Sequence, residues 1–238
     1  PWSVTTFIGQ CSAKFDADAV LQKGLRQPGW CERKGYVRSD GEPMTASEIK
    51  NTWEMSSVRG SLLHWTAQMF LNGYDISEPI SPEMRQVQYF KANFLDRFGL
   101  TPWRTEFLLW DDELRLGGAV DLICRDRAGC FVVIDWKRCK NISPAGISTM
   151  SWPLDRFTDC NWIKYCLQIN MYRRILQSCY GMKVSAMYIV AVHPCATPYG
   201  PHVFDVETLD EDLGDLITHR GVPPSCPENP DGSAVASR

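Results

Sequence analysis

The stretch "GGAVDLICRDRAGCFVVIDWKRCK", residues 117–140, decides how the rest of the chain is read. Its two halves are rich in β-branched and apolar residues and meet at "RDRAG", which reads as turn material, so they predict two antiparallel strands. With Cys124 facing residue 130 or 131, Asp121 falls across from about residue 133 or 134, one step from Asp135. Side chains alternate along a strand, so Asp135 and Lys137 share one face while Ile134 and Trp136 point to the other. The small residues "GGA" ahead of Asp121 leave room for another group to approach.

Two neighbouring carboxylates repel, and in a low-dielectric cleft a cation or a proton must intervene. Hard oxygen ligands suit Mg²⁺ or Mn²⁺, which can activate water and neutralise a phosphodiester, with Lys137 steadying the developing charge. An isolated Asp-x-Lys on a strand is more simply a surface ion pair. The pattern of Asp121, thirteen intervening residues and "DWK" favours the catalytic alternative.

Outward from this hairpin the elements follow in order. "TASEIKNTWEMSSVRGSLLHWTAQMFLNG" predicts a helix over about 46–72, capped by Thr45 or Ser47 and interruptible near Ser56 and Ser57. "SPEMRQVQYFKANFLDRFG" predicts a second, with Ser81 as cap, Pro82 in its first turn and Gly99 at its end. "WRTEFLLW" adds a strand, making a three-stranded meander. "CNWIKYCLQINMYRRILQSCYG" is a long helix ending at Gly181, and "KVSAMYIVAVHP" a further strand stopped by Pro194. Residues 1–45 read as an irregular N-terminal segment, 46–220 as the main domain, and 221–238, rich in Pro, Gly and Ser, as a disordered tail or linker.

Composition narrows the function. The 238 residues are 44% hydrophobic and 22% charged, enough for one sizeable core. A net charge of −3 and a pI near 5.8 give no bulk attraction to polyanions, so any nucleic-acid contact must be a local groove. No run approaches a membrane span of about 18 apolar residues, and no signal pattern opens the chain, which leads to the expectation of an intracellular protein without membrane contact. The start at Pro1 fits a domain excised from a larger chain or complex. Ten cysteines include no Cys-x-x-Cys pair and predict scattered reduced thiols.

"GAVDLI" and "VVIDWK" together resemble the core of the PD-(D/E)xK nuclease superfamily. "GSLLH", Gly60 to His64, and "QINMY", Gln168 to Tyr172, resemble the G-x-x-x-H and Q-x-x-x-Y helices of its RecB-like branch, which includes mitochondrial genome-maintenance exonucleases and CRISPR adaptation nucleases. Glu106 in "TEFLLW" stands where many relatives carry a glutamate. The resemblance spans roughly residues 58–193 and keeps the family's order. It implies an α/β (α+β) fold, a restriction-endonuclease-like core with a central mixed sheet flanked by helices and a helical N-terminal part.

It also implies a divalent-metal-dependent deoxyribonuclease, a single-strand or end-dependent exonuclease. The expected metal ligands for Mg²⁺ or Mn²⁺ are His64, Asp121, Asp135 and Trp136, and the expected catalytic residues are Asp121, Asp135, Lys137, Gln168 and Tyr172. Tyr172, Arg138, Lys140 and Trp162 are the candidate nucleic-acid contacts, with Trp136, Trp152, Arg156 and Lys164 around them and segment 141–160 as a mobile rim. DNA is the expected partner, RNA the second. No iron–sulfur cluster is expected, because Cys160, Cys166, Cys179 and Cys195 lack the required spacing. The alternatives are an RNA endonuclease of the cap-snatching type and a non-catalytic nucleic-acid-binding domain of the same fold.

Overall fold

The computed structural model describes residues 1–76, 80–195 and 200–220. The chain runs β1 (Trp2–Ser3), α1 (Val4–Gly9), α2 (Ala17–Leu25), α3 (Trp30–Lys34), α4 (Ala46–Leu71) and α5 (Pro82–Phe90). A π-helical turn, Lys91–Leu95, and α6 (Asp96–Phe98) extend α5 to Gly99, whose φ of 67° is the left-handed stop that glycine adopts without a Cβ clash. Then come β2 (Thr101–Asp111), β3 (Leu116–Arg125), β4 (Phe131–Arg138), α7 (Asn161–Tyr180), β5 (Val184–Val192), β6 (His202–Asp205) and α8 (Asp210–Arg220).

The fold is mixed α/β: six strands form one mixed sheet with helices on both faces. β2, β3 and β4 make the expected antiparallel meander, α7 crosses over, and β5 returns parallel to β4. Alternation along β4 sends Phe131 and Val133 into a core with α1, α7 and α8, while Val132, Ile134 and Trp136 enter a second core under α4 and α5. Each face of the sheet therefore has its own apolar layer, and burial of both drives the strand-to-helix order.

The helix boundaries follow local chemistry. Thr45 caps α4 in a reciprocal capping box with Glu48, and Ser81 caps α5 with Pro82 in its first turn. α4 runs unbroken through Ser56 and Ser57, with Ile49 and Trp53 before that pair packed on the α2–α3 region and Leu63 and Ala67 after it packed on the sheet.

Three expectations need correction. Residues 1–45 are not irregular: β1 pairs in parallel with β3, Val4, Phe7, Ile8 and Cys11 of the α1 region enter the main core, and α2 and α3 pack Leu21 and Cys31 against Ile49. These helices have five to nine residues, too short for a clear periodic signal. The segment 141–160 is anchored rather than a mobile rim, since Met150 and Leu154 are buried, Met150 N–H bonds Phe157 and Ser151 N–H bonds Cys11. β6 and α8 also lie beyond the elements expected from sequence. The proposed tail, 221–238, falls outside the described residues.

Candidate active site

The sheet splits where the acids stand. β2 occupies one edge of β3 along its length. On the opposite edge β4 pairs only from Leu122–Ile134 to Arg125–Phe131, and β1 takes Leu116 and Gly117. Residues 118–121 of β3 thus have no strand partner on that edge, and residues 135–138 of β4 pair only with β5. Continuing the ladder by one step sets Asp121 opposite Asp135, one to two residues from the sequence-based register. Across the divergence, the Trp136 backbone N–H donates to Asp121 Oδ2 at 2.7 Å, a side-chain bond where a ladder bond would otherwise stand.

On its other side Asp121 is matched to Glu106, since Thr105 pairs Leu122 and Phe107 pairs Val120. Glu106 has φ 46°, the left-handed region, inside a strand. A glutamate there costs about 1–3 kcal/mol and persists because the pairs on both sides fix it. Three carboxylates from β2, β3 and β4 therefore lie in one row. From α4, His64 Nδ1 reaches Asp121 Oδ1 at 3.3 Å and Glu106 Oε1 at 3.5 Å. One ligand atom from each of His64, Glu106 and Asp121 lies within 4.8 Å of the others.

Charge in this row is unbalanced without a cation. Burial opposes charging of His64, but the hydrogen bonds it donates to the Asp121 and Glu106 carboxylates outweigh it and raise the imidazole to about 10, so a proton occupies the cationic position. Asp135 is 2% exposed, and burial pushes its carboxyl up to about 6 against the pull of Lys137. Its Oδ2 forms an ion pair with Lys137 Nζ at 2.7 Å. Its Oδ1 is buried with no hydrogen-bond donor. A buried carboxylate oxygen without a donor, beside a histidine and two more acids, fits a hard divalent cation.

Lys137 is fixed by a relay from α7. Its Nζ donates to Gln168 Oε1 at 3.3 Å, and Gln168 Nε2 donates to the Tyr172 hydroxyl at 2.9 Å. Tyr172 fills the split in the sheet against Gly118, where an added Cβ would come within 2.6 Å of the ring. That explains Gly118 of the opening stretch, while at Gly117 an added Cβ would come within 2.7 Å of the Trp110 ring. The Tyr165 ring sits 4.6 Å from Lys137 Nζ in a cation–π contact. Residues 165, 168 and 172 recur at i, i+3 and i+7, so one face of α7 serves the lysine.

The structure brings together His64, Asp121, Asp135, Lys137, Gln168 and Tyr172. Trp136 takes part through its backbone N–H, while its indole is buried edge-on to Phe90 on the other face. Two residues join that the ligand and catalytic sets omitted: Glu106, whose signal is an acid in the strand interior just ahead of the apolar run "FLLW", and Tyr165, whose signal is its spacing from Gln168.

The expected nucleic-acid contacts disperse. Tyr172 is 3% exposed and offers no ring face to a base. Arg138 points with Trp136 to the opposite side of β4 and pairs with Glu83 at 2.8 Å. Lys164 pairs with Asp159 at 2.8 Å and Arg156 with Asp212. Trp162 packs against Phe204, with ring centroids 5.4 Å apart. Lys140 is exposed. The basic and aromatic alternation around 136–164 is thus mostly packing and ion pairing.

No family model and no curated protein matches the chain. Several solved structures align with it, two of them as follows. One is described as "Putative exonuclease" from Eubacterium rectale, with 10% identity, a TM-score of 0.37 and coverage of 92% of this chain and 77% of that one. The other is the protein SSO0001, with 16% identity, a TM-score of 0.35 and coverage of 92% and 86%. The side-chain geometry, rather than these likenesses, carries the functional reading. Among the described residues no helix is long and apolar enough to cross a membrane.

Proposed function

We propose that the chain is a divalent-metal-dependent nuclease that hydrolyses phosphodiester bonds, with DNA single strands or ends as its substrate. The observation that carries this reading is the row Glu106–Asp121–Asp135 across three strands, completed by His64 and ending in a buried carboxylate oxygen without a donor. A hard divalent cation held by His64, Glu106, Asp121 and Asp135 would supply an acidified water and neutralise phosphate charge.

The chain's own groups do the rest. Trp136 N–H holds Asp121 in place. Burial opposes charge on Lys137, but Asp135 and Asp121 outweigh it and raise its ammonium above the usual lysine value. Lys137 is therefore a charged donor rather than a base, suited to the negative oxygens of a phosphodiester under attack. Gln168 and Tyr172 keep that donor aimed, and the fixed orientation reduces the reorganisation needed during reaction.

The reading is tested by incubating the chain with labelled single-stranded DNA, duplex DNA and RNA in Mn²⁺, Mg²⁺ or excess EDTA. Cleavage in either metal, lost in EDTA and reduced at least 10³-fold in Asp135→Asn, is the expected result. Undiminished cutting in EDTA, or by Asp135→Asn, refutes the mechanism. Preference for RNA would move the substrate while keeping the chemistry.

A further inference from the structure

A second cavity of about 590 Å³ lies against α4, next to the candidate active site. It falls within the roughly 300–1,000 Å³ common for small-molecule sites. Trp65 lines both spaces: it follows His64 in sequence, borders the cleft that contains His64 and Glu106, and also walls the larger cavity. The indole is 57% exposed, and Leu62, one turn earlier, is 55% exposed. Large apolar side chains this open beside a catalytic cleft are unexpected unless a ligand covers them.

The geometry points to this cavity as a binding site for an unpaired nucleobase of the strand being cut, with Trp65 as its stacking face. The inference rests on the nuclease reading and narrows its substrate to single-stranded segments, because a base inside a duplex is stacked and paired and cannot enter.

The lining favours a base over a phosphate. Its walls are apolar, with Leu62, Met69, Ile80 and Met84 among them. Its charges balance, Arg59 and Arg138 against Asp75 and Glu83, and Arg138 and Glu83 are already bonded to each other at 2.8 Å. That pair spends one charge of each sign, so a phosphate would meet Asp75 as well as Arg59 and no net positive charge. A flat ring with polar edges meets an indole face, aliphatic walls and the polar groups of Thr66 and Ser81. Continuity through Trp65 joins the two sites: a strand whose phosphate lies at the acidic row has its neighbouring base within reach of the indole.

The test compares wild type, Trp65→Leu and Trp65→Phe in Mn²⁺, using single-stranded oligodeoxynucleotides that are intact or carry one abasic nucleotide at successive positions. Base–aromatic stacking is substantial, so Trp65→Leu should raise KM roughly tenfold with kcat unchanged, and Trp65→Phe should recover most of the loss. One abasic position should raise wild-type KM to the same degree and leave Trp65→Leu unaffected, which a merely structural tryptophan would not produce. The thermal midpoint of Trp65→Leu should match wild type, as the indole is largely exposed. Wild-type KM in Trp65→Leu, or an equal abasic penalty in both proteins, overturns the base site while leaving the nuclease reading intact. Wild-type protein that cuts no strand in Mn²⁺ overturns both.

Discussion

β4 carries two ion pairs one residue apart, on opposite faces of the sheet, and they have little in common. On one face Arg138 Nε meets Glu83 Oε1 at 2.8 Å, with the side chains 7% and 10% exposed. On the other, Lys137 Nζ meets Asp135 Oδ2 at 2.7 Å. Arg138 and Glu83 satisfy each other beneath α5. Asp135 keeps an oxygen without a donor, and Lys137 is shared among Asp135, Gln168 and the Tyr165 ring. Similar distances therefore describe one pair that closes a surface and one that holds charge ready for a third party.

The strongest test of that contrast is to cut each pair from its cationic side. Arg138→Ala leaves Glu83 buried without its partner and should cost about 3–5 kcal/mol in urea unfolding. Lys137→Ala should cost much less, because burial already raises the Asp135 carboxyl and that group can take up a proton instead of staying charged. Equal losses in the two variants would make both pairs structural.

Activity should invert the order. With metal and substrate still bound, Lys137→Ala should lower turnover by roughly 10²-fold or more, since it removes a donor aimed at developing charge. Single-turnover cleavage read beside Mn²⁺ titration separates this from loss of metal. A Lys137→Ala protein that binds DNA and cuts it at the wild-type rate would reduce "IDWK" to a strand end with an ion pair.

The same contrast explains what could be read from sequence. The hairpin, the caps at Thr45 and Ser81, and the shared face of Asp135 and Lys137 follow from strand alternation and turn chemistry, which act over a few residues. Arg138 beside the lysine reads from sequence as an unpaired basic residue, and its partner Glu83 lies fifty-five positions away, beyond the reach of local rules. Glu106 escaped the ligand set for the same reason: its place depends on a register across β2 and β3 and on a left-handed φ that no local preference favours. α1 is six residues long, and long-range burial against the sheet places it. Local rules reached the elements, while the second partner of each charge was set by tertiary packing.

The smallest effect concerns His64, and it tests the acidic face by pH. Ordinary imidazole titrates near 6.5, and burial would lower that, but Asp121 and Glu106 raise His64 to about 10 in the folded chain. A folded value above the unfolded one contributes stability that is fully present below about pH 6.5 and is lost as pH rises toward 10. In excess EDTA the thermal midpoint should therefore fall more steeply over that interval in wild type than in His64→Asn, which carries no such proton. Asp135 contributes only at the lower edge of that interval, since burial pushes its carboxyl up to about 6. Mn²⁺ should flatten the wild-type curve by taking the proton's place, and calorimetry near pH 7.5 in buffers of differing ionisation enthalpy should show close to one proton released per ion bound. Parallel curves for wild type and His64→Asn, together with metal uptake that releases no proton, would place His64 outside the ligand set and leave three carboxylates to hold the cation alone.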